Sequence, residues 1–213
     1  MLTPAENELL TRIGPGTPMG SMFRRYWLPA LLSEELPDPD GTPVRFRLMG
    51  EDLVAFRDSG GGVGVLEEHC PHRQASLALG RNEEGGLRCI YHGWKFDRSG
   101  VCLDIPTEPP ELRFKEKMRA RAYPARESGG LVWTYMGPPE LDPPFREFQW
   151  LSQPAGFFKE FKTLEECNYA QAIEGGLDEA HTPILHRLAP WESAQRQHPT
   201  LPAGPGPHSQ AGG

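Results

Sequence analysis

The 213-residue sequence lacks a long apolar run, a block of basic residues and a dense set of cysteines. No stretch approaches the ~20 consecutive apolar residues that a bilayer-spanning helix needs. Glu6 and Glu8 stand where a signal peptide would be basic and then apolar. The net charge of −7, with scattered lysines and arginines, offers no surface for nucleic-acid phosphates. We therefore expect a soluble, cytoplasmic protein that binds neither membrane nor nucleic acid.

The cysteines are Cys70, Cys89, Cys102 and Cys167. Four thiols spread over a chain of this length are too few for a disulfide framework, and in a cytoplasmic protein they favour metal binding or catalysis. Cys102 and Cys167 stand outside any motif, and we expect them to be small buried residues.

Glycine and proline are abundant, with 24 and 23 residues. Their combined frequency is about twice the usual one, which excludes an all-helical bundle and favours short strands joined by turns. Alternating apolar and polar residues predict antiparallel strands. The predicted strands are residues 44–48, 53–57, 63–66, 87–91, 94–97, 101–105 and 131–136. We assign residues 41–145 to one β domain, preceded by an N-terminal arm, residues 1–40, with short helices at 5–13 and 19–27.

The region after the β domain has a different pattern. Residues 157–162 are consistent with one strand. Apolar residues from Leu164 to Ala180 then recur at steps of three or four, which predicts a helix with a polar face. We assign residues 146–188 to the start of a second, incomplete domain. Residues 189–213 are rich in glycine and proline, and we expect them to be disordered.

Two short motifs combine cysteine with histidine. Cys70 and His72 form C-x-H, and Cys89 and His92 form C-x-x-H after sixteen intervening residues. Structural zinc sites usually pair like with like, whereas each motif here supplies one thiolate and one imidazole. Mixed pairs suit a two-iron, two-sulfide cluster with two cysteines on one iron and two histidines on the other. A zinc site, or a chance meeting of four such residues, is the alternative.

The segment CPHRQASLALGRNEEGGLRCIYHGWKFDRSGVCLDIP closely resembles the Rieske domain of ring-hydroxylating oxygenases. The resemblance implies a mainly β Rieske domain, an antiparallel β-sandwich with a cluster-binding subdomain, followed by a truncated α+β catalytic domain. It also implies that both Cys/His pairs hold a [2Fe-2S] cluster. Arg73, Gln74 and Trp94 adjoin the ligands and could position the loops or donate hydrogen bonds near the cluster, with ordinary loop packing as the alternative.

A second constellation combines Asp178, His181 and His186. Asp178 and His181 are spaced i, i+3, which places them on one helix face, and Pro183 should break the helix so that both imidazoles could reach one metal. Two histidines and one carboxylate form the facial set that holds non-haem iron(II). Taken alone, such histidines are more often ordinary surface or core residues.

The family resemblance extends to this segment through Asn168, Glu174, Asp178, His181 and His186. It implies that His181 and His186 bind a mononuclear iron and that Asp178 carries electrons to it from the Rieske histidine of a neighbouring subunit. The segments RRYWLPALLSEEL and EGGLDEAH are most similar to the phthalate 4,5-dioxygenase branch. That likeness implies a homo-oligomer, a trimer or hexamer, fed by a flavin and iron-sulfur reductase and acting on an aromatic acid with O2.

The resemblance ends near residue 188. In the family the third iron ligand is a carboxylate far downstream, and after His186 only Glu192 carries one here. We therefore expect a complete Rieske domain with a truncated catalytic domain, as in a fragment or a frameshifted reading frame. Two functions follow as hypotheses: the N-terminal half of an oxygenase subunit that hydroxylates an aromatic compound, or a chain that holds only the cluster, either as an electron-transfer module or as a non-functional fragment.

Overall fold

The computed structural model describes residues 2–154 and 156–186. The chain divides into two compact units, residues 1–164 and residues 165–213. The predicted disordered tail and Glu192 lie outside the described residues. Within the described ranges, none of the helices has the length and apolar character that a bilayer crossing requires.

Short elements make up both units. The α-helices are α1 (Pro4–Thr11), α2 (Pro18–Phe23), α3 (Tyr169–Leu177) and α4 (Thr182–Leu185). The strands are β1 (Trp27–Leu32), β2 (Val44–Leu48), β3 (Glu51–Arg57), β4 (Val63–Glu67), β5 (Arg81–Glu83), β6 (Gly86–Arg88), β7 (Lys95–Phe96), β8 (Cys102–Asp104), β9 (Ala122–Tyr123), β10 (Ala125–Ser128) and β11 (Leu131–Tyr135). Single 3₁₀ turns occur at Ser33–Glu35, Leu77–Leu79, Pro110–Leu112, Phe114–Lys117, Pro139–Leu141 and Gln149–Ser152.

The strands form three antiparallel sheets with the orders β1-β11-β10, β2-β3-β4-β9 and β5-β6-β7-β8. The second sheet contributes to two cores because side chains alternate between the faces of a strand. On β3, Val54 and Phe56 enter a first core shared with β6, β7 and β8, whereas Leu53 and Ala55 enter a second core shared with β1 and β11. The first core also contains Cys70, which follows β4, and Cys89, which follows β6. The candidate site lies at these two cysteines.

This architecture confirms the predicted fold class, a mainly antiparallel β structure with few helices. Most of the predicted strands are present, because their apolar residues alternate with the pleat. β1 lies inside the segment predicted as an N-terminal arm and pairs with β11.

Four predictions about secondary structure are wrong. The helix predicted from Leu164 to Ala180 covers only Tyr169–Leu177, because Asn168 caps its start and Asp178 has an extended backbone. The helix predicted at 19–27 ends at Phe23, and Trp27 begins β1, because sheet pairing with β11 outweighs the helical period. The strand predicted at 87–91 ends at Arg88, where a ligand loop begins. Residues 157–162 form no strand; Phe157 and Phe161 are exposed, and Lys162 instead pairs with Glu35 at 2.6 Å.

Candidate metal centre

The first ligand loop, residues 70–75, follows β4. The Cys70 N–H donates to the Ala75 carbonyl at 2.9 Å, and the Gln74 N–H donates to the Cys70 carbonyl at 2.9 Å. Gln74 has a φ of 58°, in the left-handed region that reverses the chain. His72 is therefore carried on a tight turn closed at both ends by backbone hydrogen bonds.

The second ligand loop, residues 89–94, follows β6 and repeats this turn. The Cys89 N–H donates to the Trp94 carbonyl at 2.8 Å, and the Gly93 N–H donates to the Cys89 carbonyl at 3.1 Å. Gly93 has a φ of 75°, and a Cβ there would lie 2.7 Å from Pro106 Cγ, so glycine is required for both conformation and space. Two copies of one turn thus present the two cysteines and the two histidines.

The four side chains are brought together with the thiols inside and the imidazoles outside. Cys70 and Cys89 are 1% and 3% exposed, and their thiols are hydrogen-bonding neighbours. His72 and His92 are half-buried, and their ring centroids are 4.7 Å apart. This arrangement of two sulfur donors beside two nitrogen donors matches the ligand set predicted from the motifs.

Burial raises the pKa of Cys70 to about 11. The backbone N–H groups of His72 and Arg73 lower it, while the neighbouring Cys89 raises it. Partial burial, and then the charges of His92 and Arg73, lower the pKa of His72 below its usual value. This shift favours the neutral imidazole, which is the form that binds metals, whereas thiols must release protons to do so.

Two buried polar atoms in this region have no hydrogen-bond partner: His92 Nδ1 and Trp94 Nε1. A buried nitrogen without a partner costs free energy, so a group outside the polypeptide that accepts or binds there would relieve the cost. No three Cys, His, Asp or Glu side chains within the described ranges are grouped around one point as ligands of a single ion. A two-iron cluster does not need such a group, since each iron takes two protein ligands and two sulfides. The donor set thus fits a [2Fe-2S] cluster better than a single zinc ion.

The second constellation lies between α3 and α4. α3 ends at Leu177, and Asp178 has an extended backbone, so the prediction that Asp178 and His181 share a helix face is wrong. Asp178 Oδ2 nevertheless lies 3.0 Å from His181 Nδ1. Pro183 was predicted to break a helix. It stands instead in the first turn of α4, where its missing N–H costs no hydrogen bond.

His181 precedes α4 and His186 follows it. Their ring centroids are 5.2 Å apart, so one helical turn brings together the two imidazoles that the sequence singled out. Asn168 caps α3 by accepting from the Gln171 N–H at 3.1 Å, and the Glu174 carbonyl accepts from the Asp178 N–H.

A family model described as "Rieske [2Fe-2S] domain" matches residues 26–124, which include both ligand loops. Curated relatives of the chain are named as oxygenase subunits. The chain carries a Rieske [2Fe-2S] domain. The match confirms the expected [2Fe-2S] cofactor at the level of this domain.

Two relatives illustrate the likeness. The phthalate 4,5-dioxygenase oxygenase subunit of Pseudomonas putida is 50% identical over 186 residues, which are 87% of this chain and 42% of that protein. The 5,5'-dehydrodivanillate O-demethylase oxygenase subunit of a Sphingobium species is 44% identical over 211 residues, 96% of this chain and 48% of that one. The chain thus spans less than half the length of these curated relatives.

A solved structure of dicamba monooxygenase bound to 3,6-dichlorosalicylic acid superimposes with a TM-score of 0.63 and 30% sequence identity. The match covers 77% of this chain and 47% of that one. It therefore extends beyond the Rieske domain, since residues 26–124 make up less than half of the chain.

Arg73, Gln74 and Trp94, which adjoin the Cys/His motifs, differ from one another in their exposure. Arg73 and Gln74 are exposed, and Gln74 Nε2 lies 3.4 Å from the Cys70 carbonyl. Trp94 is buried, and its indole is stacked on His72.

One residue of the Rieske domain was missed by the sequence analysis. Arg88 Nη1 donates to the Gly93 carbonyl and to Asp104, each at 2.7 Å, and Arg88 Nε donates to Glu83 at 2.6 Å. Arg88 therefore connects the second ligand loop to β5 and β8. Its position directly before Cys89 was visible in the sequence, but its partners are set by strand pairing.

Proposed function

We propose that this chain is part of a Rieske oxygenase component in which Cys70, His72, Cys89 and His92 hold the [2Fe-2S] cluster. The observation that carries the proposal is the pair of matching turns, which brings two buried thiols and two half-buried imidazoles together. Such a cluster accepts and passes on one electron at a time, at roughly −150 to +300 mV, because neutral imidazoles replace two thiolates.

The chain's own residues have defined tasks in this proposal. The thiols of Cys70 and Cys89 lose their protons on binding, and the backbone N–H groups of His72 and Arg73 stabilise the resulting charge on Cys70. The closing hydrogen bonds of each turn keep sulfur and nitrogen donors on the same side of the loop.

His181 and His186 would supply the imidazoles of a mononuclear iron site, with Asp178 hydrogen-bonded to His181. A third, carboxylate ligand would come from a later part of the oxygenase subunit. Asp178 would then orient His181 and link it to the Rieske domain of a neighbouring subunit. The iron held there would supply the O2 chemistry with which the enzyme hydroxylates its substrate.

The substrate and partners are inferred from relatives. One relative is named for phthalate and another for dehydrodivanillate, so we propose an aromatic acid as the substrate. The first name denotes a dioxygenase and the second a demethylase, so the reaction on that acid is left open. We further propose a flavin and iron-sulfur reductase as the electron donor and a homo-oligomeric assembly.

The test is elemental analysis of anaerobically purified protein, with iron, zinc and acid-labile sulfide counted per chain. We expect two irons and two sulfides, with a visible spectrum that bleaches on reduction by dithionite. One zinc without sulfide would refute the proposal. A third iron without additional sulfide would indicate that His181 and His186 already bind iron in this chain.

The second candidate function is electron transfer alone. It is favoured by the second constellation, where the two imidazoles lie close together but the described ranges supply no third donor that is grouped with them around one ion. Electron transfer without oxygenation predicts a reducible cluster and no oxygen uptake with any aromatic acid. Oxygen uptake that depends on an aromatic acid would exclude it.

A further inference from the structure

The two ligand loops share their closing backbone hydrogen bonds but differ in sequence, and one difference lies at the end of each turn. The residue whose carbonyl closes the turn is Ala75 in the first loop and Trp94 in the second. The alanine has no side chain that could reach across, whereas the tryptophan extends to the histidine of the opposite loop. The two imidazoles therefore have unequal surroundings.

The Trp94 indole lies flat on His72. Their ring centroids are 4.5 Å apart and their planes differ by 2°. Trp94 is 4% exposed and is fixed from the side by Phe114, whose ring meets it edge-on at 5.9 Å. A flat buried ring leaves the adjacent imidazole little freedom to rotate.

His92 has no such support. Besides the His72 imidazole, the ring that lies next to it is that of Tyr91, at 3.8 Å between centroids and 38° between planes, and Tyr91 is 61% exposed. An exposed side chain moves on the ps–ns timescale and does not fix its neighbour.

We propose that Trp94 is a positioning residue that fixes the plane of the His72 imidazole, making the two histidine ligands of the cluster inequivalent. The inference rests on the proposed function because it presupposes a cluster. The electron-rich indole face also favours the more positively charged, oxidised state of the group that His72 binds. Removing the flat ring should therefore disorder one imidazole and make the reduction potential more positive.

The experiment compares Trp94→Leu with Trp94→Phe in the full 213-residue chain. Leucine occupies part of the apolar volume but has no flat face, whereas phenylalanine retains one. Trp133→Leu is the matched control, since Trp133 is also a buried tryptophan but packs against β10 and the 143–150 segment, away from the ligand loops. The readouts are sulfide per chain, the midpoint potential, and the imidazole nitrogen couplings in pulsed EPR of the reduced protein.

We expect Trp94→Leu to broaden the couplings of one imidazole and to raise the potential, Trp94→Phe to restore both, and Trp133→Leu to change neither. Failure of Trp94→Leu, but not Trp94→Phe, to assemble the cluster would also support the proposal, because a flat ring would then be required. Wild-type couplings and potential in Trp94→Leu would overturn it. Equal defects in both Trp94 variants would overturn it too, since the indole N–H would then be the operative group. Absence of iron and sulfide from the wild-type chain would refute the proposed function and this inference together.

Discussion

At the residue scale, burial alone does not distinguish a ligand thiol from a packing thiol. Cys70, Cys89 and Cys102 are all buried in the same core. Cys167, which the sequence also predicted to be buried, is exposed. Cys102 already has an acceptor, the Asp104 carbonyl at 3.5 Å, whereas Cys70 and Cys89 are adjacent to each other. The C-x-H and C-x-x-H spacings distinguish Cys70 and Cys89 from Cys102, because only those two cysteines have a histidine beside them in a short motif.

Cys89→Ala should abolish the cluster, and Cys102→Ala should leave it in place. Each substitution removes one buried sulfur and should lower the free energy of unfolding by about 0.5–3 kcal/mol. Sulfide per chain and visible absorbance measure the cluster, and thermal unfolding measures stability. Equal loss of sulfide in both variants would contradict the assignment of the ligands.

The ion pair between Glu127 and Arg57 makes the free energy of unfolding depend on pH. Both of its carboxylate oxygens accept from Arg57 at 2.6 Å, and this pairing lowers the pKa of Glu127 in the folded chain. Its contribution to stability is therefore complete above the unfolded pKa of about 4.3 and is lost as the pH falls through the lower folded value.

Glu127→Gln should accordingly flatten the dependence of unfolding free energy on pH at the acidic end. The measurement is urea unfolding at several values between about pH 7 and pH 3. The same substitution at Glu116, whose partner Arg113 is exposed, is the control and should change the slope less, because solvent screens that pair. An equal change in this slope for both variants would mean that the pairing of Glu127 with Arg57 contributes no more to the pH dependence than the exposed pair does.

At the element scale, the ligand loops are stabilised by residues that lie outside the motifs. Arg88 and Arg81 both pair with Glu83, but only Arg88 also donates to Gly93 and Asp104. The Arg88 side chain is 14% exposed and that of Arg81 is 67% exposed.

Arg88→Gln should lower the free energy of unfolding by about 1.5–3 kcal/mol, since buried hydrogen bonds to a charged group are lost. Arg81→Gln should change it by less than about 1 kcal/mol, as for an exposed ion pair. Chemical unfolding of the two variants in parallel tests the comparison. A similar cost for both would show that Arg88 does not anchor the second ligand loop.

Strand prediction succeeded where alternation alone determines the element. β2, β3 and β4 lie close to the predicted ranges. The apolar residues of β2 face the second core between outward arginines, whereas β3 and β4 are apolar on both faces because they lie between the two cores. It failed where a distant partner decides the element. Trp27 reads as part of a helix, yet it pairs with Tyr135, more than a hundred residues away.

At the scale of the whole molecule, the two constellations belong to different compact units, residues 1–164 and residues 165–213. Each proposed cluster ligand is in the first unit, and His181 and His186 are in the second. Folding of the cluster ligands therefore does not require the second set of histidines.

His181→Ala should retain two irons and two sulfides per chain, whereas His92→Ala should lose them. Removing His92 deletes a ligand inside the first unit, while removing His181 changes only the second. Iron, sulfide and visible absorbance of the two variants provide the measurement. Equal loss of absorbance would refute the independence of the two sites.

The sequence by itself determined which donors each loop offers, because the C-x-H and C-x-x-H spacings place one thiol and one imidazole in a single turn. It also determined the mainly β class, through alternation and the abundance of glycine and proline. Only the tertiary structure decided that Trp94 covers His72 and leaves His92 beside an exposed ring. This arrangement depends on the packing of β4 and β6, which brings together two loops that are separate in the sequence. No local sequence pattern encodes the distance between those two loops.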